Sequence, residues 1–134
     1  MDDNGYIAEG TGDNFFIVKN GTLITPEGKN ILRGISREYV FELCRELGFN
    51  CIEKNITPYD VYDADEAFMT GTPFCILPVT SLNFLPIENQ KMGVITKNLL
   101  DKWGSNVGVD IINQIKDFSK EISDSKKGTS PYQF

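Results

Sequence analysis

The sequence predicts an α/β domain in which helices cover a mixed β-sheet or pseudo-barrel. Two observations favour this fold class. Short apolar runs bounded by turn residues alternate with stretches in which apolar residues recur at helical spacing. The chain of 134 residues is also long enough to bury one compact core, and it contains no internal repeat.

The first predicted element is a β-hairpin. Residues 15–19 and 22–25 are strand-like apolar runs, and only Asn20 and Gly21 separate them. A two-residue hairpin turn requires positive φ angles, which Asn and Gly adopt most readily. The same turn chemistry occurs at residues 3–5, Asp-Asn-Gly, where only two residues precede it. We therefore expect the chain to begin inside a hairpin, with a loose terminal turn as the alternative.

The middle of the chain predicts a helix followed by short strands. Residues 37–47 carry apolar side chains at helical spacing, and Gly48 ends this helix. Residues 51–56 alternate between polar and apolar as a half-buried strand does. Residues 58–65 are typical of a short helix or turn, and another strand begins at residues 66–69.

The last third predicts a further strand and a long helical region. After the turn TGTP, an apolar run resumes at residues 74–82, and residues 83–93 form a loop or a short hairpin. Residues 94–122 have helical spacing that is interrupted near Gly104 and Gly108. We therefore expect one domain at residues 1–122. Residues 123–134 lack periodicity and are expected to form a flexible tail.

The composition excludes several classes of function. The absence of His removes the commonest general base and metal ligand, so catalytic triads and His-based zinc sites are excluded and no metal site is expected. A net charge of −6 without a long basic patch argues against nucleic-acid binding. Three Cys without paired spacing favour a reducing cytoplasm, and the absence of a long apolar run argues against membrane insertion.

Three turns rich in glycine and hydroxyl residues are candidates for a binding site: EGTGDN at residues 9–14, RGISRE at 33–38 and TGTP at 70–73. The second turn precedes a predicted helix. The N–H groups of Ile35 and Ser36 would therefore lie at its positive N-terminus, which attracts anions such as phosphate. The alternative is that Ser36 only caps its own helix.

In this order and spacing, the turns resemble the C-terminal domain of the class IV aminotransferases, which are pyridoxal-phosphate enzymes of fold type IV. The resemblance covers about residues 5–103 and is closest to the branched-chain amino acid aminotransferases. It rests on the segments GYIAEGTGDNFFIVKNG, TP…ILRGISRE, ELGF, DADEAFMTGT and GVITK. It implies the cofactor pyridoxal 5′-phosphate, an amino acid and a 2-oxo acid as substrates, and a homo-oligomer, commonly a dimer.

The resemblance also implies a role for each turn. Glu9 would meet the pyridine nitrogen of the cofactor, where a carboxylate keeps that nitrogen protonated. Gly12 would let the backbone approach the ring closely. Ile35 and Ser36 would hold the cofactor phosphate through their N–H groups, and Thr72 would contact both cofactor and substrate. The alternative from composition alone is that Glu9 is a solvated carboxylate.

The chain departs from the family pattern in two places. The family's Schiff-base lysine and a phosphate-gripping arginine lie upstream of the matching glutamate, whereas every lysine here follows Glu9. We therefore assign no catalytic residue and expect this chain to be the C-terminal part of a longer protein. Pro73 stands where many members use an N–H group for the substrate carboxylate, and proline has none to donate.

The leading hypothesis is that the chain is part of a class IV aminotransferase. The full-length protein would transfer an amino group between a branched-chain amino acid and a 2-oxo acid. The chain by itself is expected to be inactive. One alternative on the same fold is an aminodeoxychorismate lyase. The other is a non-catalytic module that binds a phosphorylated ligand or a partner protein.

Overall fold

The computed structural model describes residues 1–29, 31–88 and 90–124, and this part of the chain folds into seven strands and four helices. The elements are β1 (Asn14–Lys19), β2 (Thr22–Thr25), α1 (Ile35–Leu47), β3 (Asn50–Glu53), α2 (Pro58–Tyr62), β4 (Glu66–Gly71), β5 (Cys75–Pro78), β6 (Ser81–Leu82), β7 (Leu85–Pro86), α3 (Val94–Val107) and α4 (Ile111–Asp124).

Five strands form one mixed sheet in the order β3-β2-β1-β4-β5. Strands β2 and β3 run parallel, because helix α1 connects them as a crossover. The other neighbours in this sheet are antiparallel, and β6 and β7 form a separate two-stranded ribbon. The predicted mixed sheet of an α/β domain is therefore confirmed.

The predicted hairpin is also confirmed. Asn20 and Gly21 join β1 to β2 with φ angles of 49° and 75°, and Lys19 lies opposite Thr22 in the ladder. Strand β1 begins one residue earlier than expected, at Asn14. This extra residue pairs with the end of β4 and carries the strand to the edge of the turn at residues 9–14.

Both faces of the sheet are covered, as the alternation of side chains along β1 requires. Phe16 and Val18 face a core shared with α1, α3 and α4, and the ring of Phe16 stacks on Phe68 with 5.0 Å between centroids. Phe15 and Ile17 face a smaller cluster on the opposite side, where α2 and the residues around β6 and β7 pack. Strand β1 is thus the buried centre of the domain.

Further predicted boundaries differ from the structure, and the apolar run expected at residues 74–82 is divided between β5 and β6. Helix α1 begins at Ile35 rather than at residue 37, and Gly48 ends it as expected, with a φ angle of 73°. Strand β3 ends at Glu53 rather than at residue 56. Strand β4 continues to Gly71 through the expected break, because Gly71 still pairs with Cys75 of β5.

The helical region breaks once rather than twice. Gly108 has a φ angle of 71° and ends α3. Gly104 stays inside α3, where a Cβ atom would lie 2.5 Å from the carbonyl oxygen of Val109. Its role is therefore to allow close packing at the α3–α4 junction. Helix α4 includes residues 123 and 124 of the predicted tail, and residues 125–134 lie outside the described residues.

Candidate functional site

The turn at residues 9–14 borders an open cleft of about 350 Å³. Residues 9–14 line it together with Leu32 and Gly34, which immediately precede α1. Two of the three predicted turns therefore meet at one cavity. Ile35 and Ser36, which follow Gly34, and Thr72, which follows the end of β4, lie next to this lining and are not part of it.

The Glu9 carboxylate is held in place by the loop before α1. Its Oε2 atom accepts hydrogen bonds from Asn14 Nδ2 at 3.1 Å and from the N–H of Leu32 at 2.9 Å. Asn14 Nδ2 also donates to the Leu32 carbonyl oxygen at 2.9 Å. Both hydrogen bonds that the described residues donate to this carboxylate reach Oε2.

Asn14 and Leu32 are site residues that the sequence reasoning missed. Asn14 is buried at the start of β1, where it connects Glu9 to the α1 loop. Leu32 is 76 % exposed although it is apolar, and it lines the cleft beside Glu9. The available signal for Asn14 was its place at the end of EGTGDN, directly before the strand. An exposed apolar side chain such as Leu32 gives no signal in a sequence.

Glycine makes the close approach of the two turns possible. A Cβ atom on Gly34 would lie 2.4 Å from Asn14 Oδ1, so any larger residue would push the α1 loop away from β1. Gly12 differs, because a Cβ atom there would meet nothing within 4 Å. The absent side chain at Gly12 therefore leaves open space at the rim of the cleft.

The third turn packs behind the first. A Cβ atom on Gly71 would lie 3.2 Å from the Gly12 carbonyl oxygen, so the end of β4 touches the back of the 9–14 turn. The Thr70 hydroxyl donates to the Cys75 carbonyl oxygen at 2.6 Å, and the N–H of Phe74 donates to the Gly71 carbonyl oxygen at 3.3 Å. These bonds close the turn and leave Thr72 exposed.

The N-terminus of α1 has no side-chain cap. Gly34 is its N-cap residue and has no side chain that could accept a hydrogen bond from the first turn. Ser36 lies inside the helix, one residue after Ile35, and so does not occupy the N-cap position. The first N–H groups of a helix that lack such a cap attract an anion, because they add to the positive end of the helix dipole.

The described residues hold no group of three His, Cys, Asp or Glu side chains arranged for a metal ion. Within the same part of the chain, no helix has the length and apolar character needed to span a membrane.

Comparison with known proteins gives one consistent result. Residues 1–82 match the family model Amino-transferase class IV. The branched-chain-amino-acid aminotransferase of Pseudomonas aeruginosa is 42% identical over 99 residues, which are 74% of this chain and 32% of the relative. The branched-chain-amino-acid aminotransferase of Escherichia coli K12 is 37% identical over 127 residues, 85% of this chain and 40% of the relative.

Solved structures agree with the sequence matches. The crystallised Escherichia coli branched-chain amino acid aminotransferase aligns with a TM-score of 0.75 at 39% identity, over 78% of this chain and 36% of that one. Another branched-chain amino acid aminotransferase, crystallised with pyridoxamine 5′-phosphate, aligns with a TM-score of 0.76 at 32% identity, over 82% of this chain and 37% of that one. The chain thus spans little more than a third of the length of these structures. It belongs to the class IV aminotransferase family.

Proposed function

We propose that this chain is the pyridoxal-phosphate-binding C-terminal part of a class IV aminotransferase. In the full-length protein it serves the transfer of an amino group between a branched-chain amino acid and a 2-oxo acid. The observation that carries the proposal is the fixed Glu9 carboxylate beside the uncapped N-terminus of α1. The names of the relatives and the pyridoxamine 5′-phosphate in one aligned structure support the reaction and the cofactor.

The residues of the cleft fit this cofactor. Glu9 Oε1 is the acceptor for a protonated ring nitrogen, and the open space at Gly12 admits a flat ring. The N–H groups of Ile35 and Ser36 would hold the phosphate at the helix N-terminus, with Thr72 adding its hydroxyl or N–H. When bound, the cofactor would supply an electron-accepting ring, and the Glu9 carboxylate would keep the ring nitrogen protonated.

Substrate recognition in this chain would depend on Thr72. Its exposed turn lies beside the cleft, and the next residue, Pro73, has no N–H to offer to a carboxylate. Thr72 would therefore supply both donors available in this turn, its hydroxyl and its own N–H. The preference for branched-chain substrates is supported by the relatives' names.

No lysine is among the described residues that line the cleft. Lys19 lies at the opposite end of β1 from Asn14 and forms ion pairs with Asp63 at 3.2 Å and Asp65 at 3.5 Å. The hydrogen bond to Asp63 raises the pKa of Lys19 above its ordinary value. Under the proposal, the reacting lysine comes from the part of the protein that precedes this chain, in a cytoplasmic homo-oligomer.

The proposal is tested with pyridoxamine 5′-phosphate, which lacks an aldehyde and so does not react with surface lysines. We expect weak, reversible binding in equilibrium dialysis, and weaker binding to Glu9→Gln and Thr72→Val. Each change should lower the affinity about tenfold, the equivalent of one hydrogen bond to a charged group. Glu42→Gln, at an exposed position of α1, is the matched control. Absence of binding, or equal binding by all variants, would contradict the proposal.

A further inference from the structure

Arg37 is the charged side chain buried in the described core, with 2 % of its surface exposed. It lies in the first turn of α1, directly after Ile35 and Ser36. A buried guanidinium destabilises a fold unless its donors are paired. The partners of the Arg37 guanidinium therefore show which elements of the fold this residue connects.

The guanidinium ties the start of α1 to the ends of two strands. Its Nη2 atom donates to the Pro26 carbonyl oxygen at 3.1 Å and to Glu53 Oε1 at 2.5 Å. Pro26 directly follows β2, and Glu53 is the last residue of β3. The Nη1 atom is paired with Glu38 Oε1 at 3.3 Å, whereas the buried Nε atom has no hydrogen-bond partner among the described residues. These partners need the planar fork of Arg, since a Lys amine cannot reach them with the same geometry.

An aromatic ring supports the same side chain from within α1. The Arg37 guanidinium carbon lies 5.0 Å from the centroid of the Phe41 ring, within the range of a cation–π contact. Phe41 in turn packs edge-on against Phe16 of the central strand, with 6.2 Å between ring centroids. The first turn of α1 is thus braced by the sheet and by the core.

The charge of Arg37 is already offset inside the protein. Glu38 and Glu53 both pair with it, and both are about half exposed. Its side chain is also absent from the residues that line the cleft. Its effect on a bound anion is therefore expected through the placement of the helix rather than through direct contact.

We propose that Arg37 is a positioning residue for the phosphate grip. By holding the first turn of α1 against the ends of β2 and β3, it keeps the N–H groups of Ile35 and Ser36 beside the cleft that contains Glu9. This inference rests on the proposed function, and it adds a residue that touches neither cofactor nor substrate.

The test compares pyridoxamine 5′-phosphate with pyridoxamine, which differs only in lacking the phosphate. The readout is the ratio of their dissociation constants, measured by equilibrium dialysis for the wild-type chain and for Arg37→Lys and Arg37→Met. Both variants should lower the phosphate preference about tenfold while pyridoxamine affinity stays nearly constant. Arg45→Met, which removes the same charge from the exposed last turn of α1, should leave the ratio unchanged.

A variant with a milder change covers the case in which Arg37→Met fails to fold. Glu53→Gln keeps an acceptor for Nη2 but removes the ionic partner, and it should lower the phosphate preference about threefold. Unfolding temperatures that fall without any change in the ratio would assign Arg37 a purely structural role and overturn the inference. So would full rescue by Arg37→Lys, since charge alone would then suffice. A wild-type chain without phosphate preference would overturn the proposed function together with this inference.

Discussion

At the scale of single residues, the site depends on glycines with different tasks. Gly34 lets α1 approach β1, because a Cβ atom there would overlap Asn14 Oδ1. Gly12 borders empty space and has a negative or extended backbone that other residues adopt. The sequence alone marks both as turn residues, and it does not distinguish a packing requirement from space for a ligand. That distinction depends on neighbours that are distant in the chain, such as Asn14 for Gly34.

This difference predicts opposite results for two alanine variants. Gly12→Ala should change the free energy of unfolding by less than about 0.5 kcal/mol and weaken the binding of pyridoxamine 5′-phosphate, because the methyl group enters the ligand space. Gly34→Ala should lower the free energy of unfolding by about 1–3 kcal/mol, because Asn14 must move. Urea denaturation and equilibrium dialysis check both expectations. A destabilised Gly12→Ala with normal binding would contradict the assignment.

At the scale of elements, helix α3 begins where a strand residue caps it. Glu66, the first residue of β4, accepts hydrogen bonds from the N–H groups of Ile95 and Thr96 at 2.9 and 2.8 Å and from the Thr96 hydroxyl at 2.6 Å. A Cβ atom on the N-cap residue Gly93 would collide with this carboxylate. Glu66 thus accepts the hydrogen bonds that the side chain of an N-cap residue accepts in other helices, and its negative charge is favourable at a helix N-terminus.

Removing this carboxylate should weaken the attachment of α3 to the start of β4. Glu66→Ala is expected to lower the free energy of unfolding by about 1–3 kcal/mol, because it leaves two N–H groups and a buried hydroxyl without their acceptor. Urea denaturation measures the change, with the exposed Glu42→Ala as a control that should stay near the wild type. Equal stabilities of the two variants would show that Glu66 does not cap α3.

The cap of helix α2 should make the stability of the protein depend on pH. The Thr57 hydroxyl and backbone N–H both bond to the Asp60 carboxylate, and they lower the pKa of Asp60 below its ordinary value of 3.8. A lowered pKa in the folded state means that this stabilisation is complete above the ordinary value and is lost as the pH falls through the folded value. As the pH falls from about 5 to 2, the difference in unfolding temperature between the wild type and Asp60→Asn should therefore become smaller. A stability difference that is constant with pH would contradict this interpretation.

Local chemistry predicted some elements and missed others for physical reasons. The hairpin followed from Asn20 and Gly21, because positive φ angles are a property of those residues. Helix α1 begins two residues before the predicted residue 37, since its N-cap is Gly34 and no capping side chain marks the start. The three candidate turns were expected from their motifs, whereas the connection of the first two through Asn14 and Leu32 depends on tertiary contacts.

At the scale of the whole molecule, the chain carries one side of the proposed binding site. It spans little more than a third of the solved relatives and carries the turns proposed to bind the ring nitrogen and the phosphate. The described part forms its own two-sided core around β1. The covalent step of amino transfer requires a lysine that these turns do not contain.

The chain by itself should therefore bind the cofactor without catalysing amino transfer. With pyridoxal 5′-phosphate, L-leucine and 2-oxoglutarate, we expect no glutamate formation above that of cofactor without protein. Amino-acid analysis of the mixture measures this. Turnover that is lost in Glu9→Gln would contradict the need for a lysine from elsewhere.

The proposed function requires that three separate turns form one binding site. This requirement is tested by titrating the ¹⁵N-labelled chain with pyridoxamine 5′-phosphate and following the backbone amides by NMR. The amides of residues 10–14, of Ile35 and Ser36, and of Thr72 should shift together with a single dissociation constant, while those of β6 and β7 stay in place. Shifts confined to one turn, or spread over the lysine-bearing surface with different dissociation constants, would contradict it.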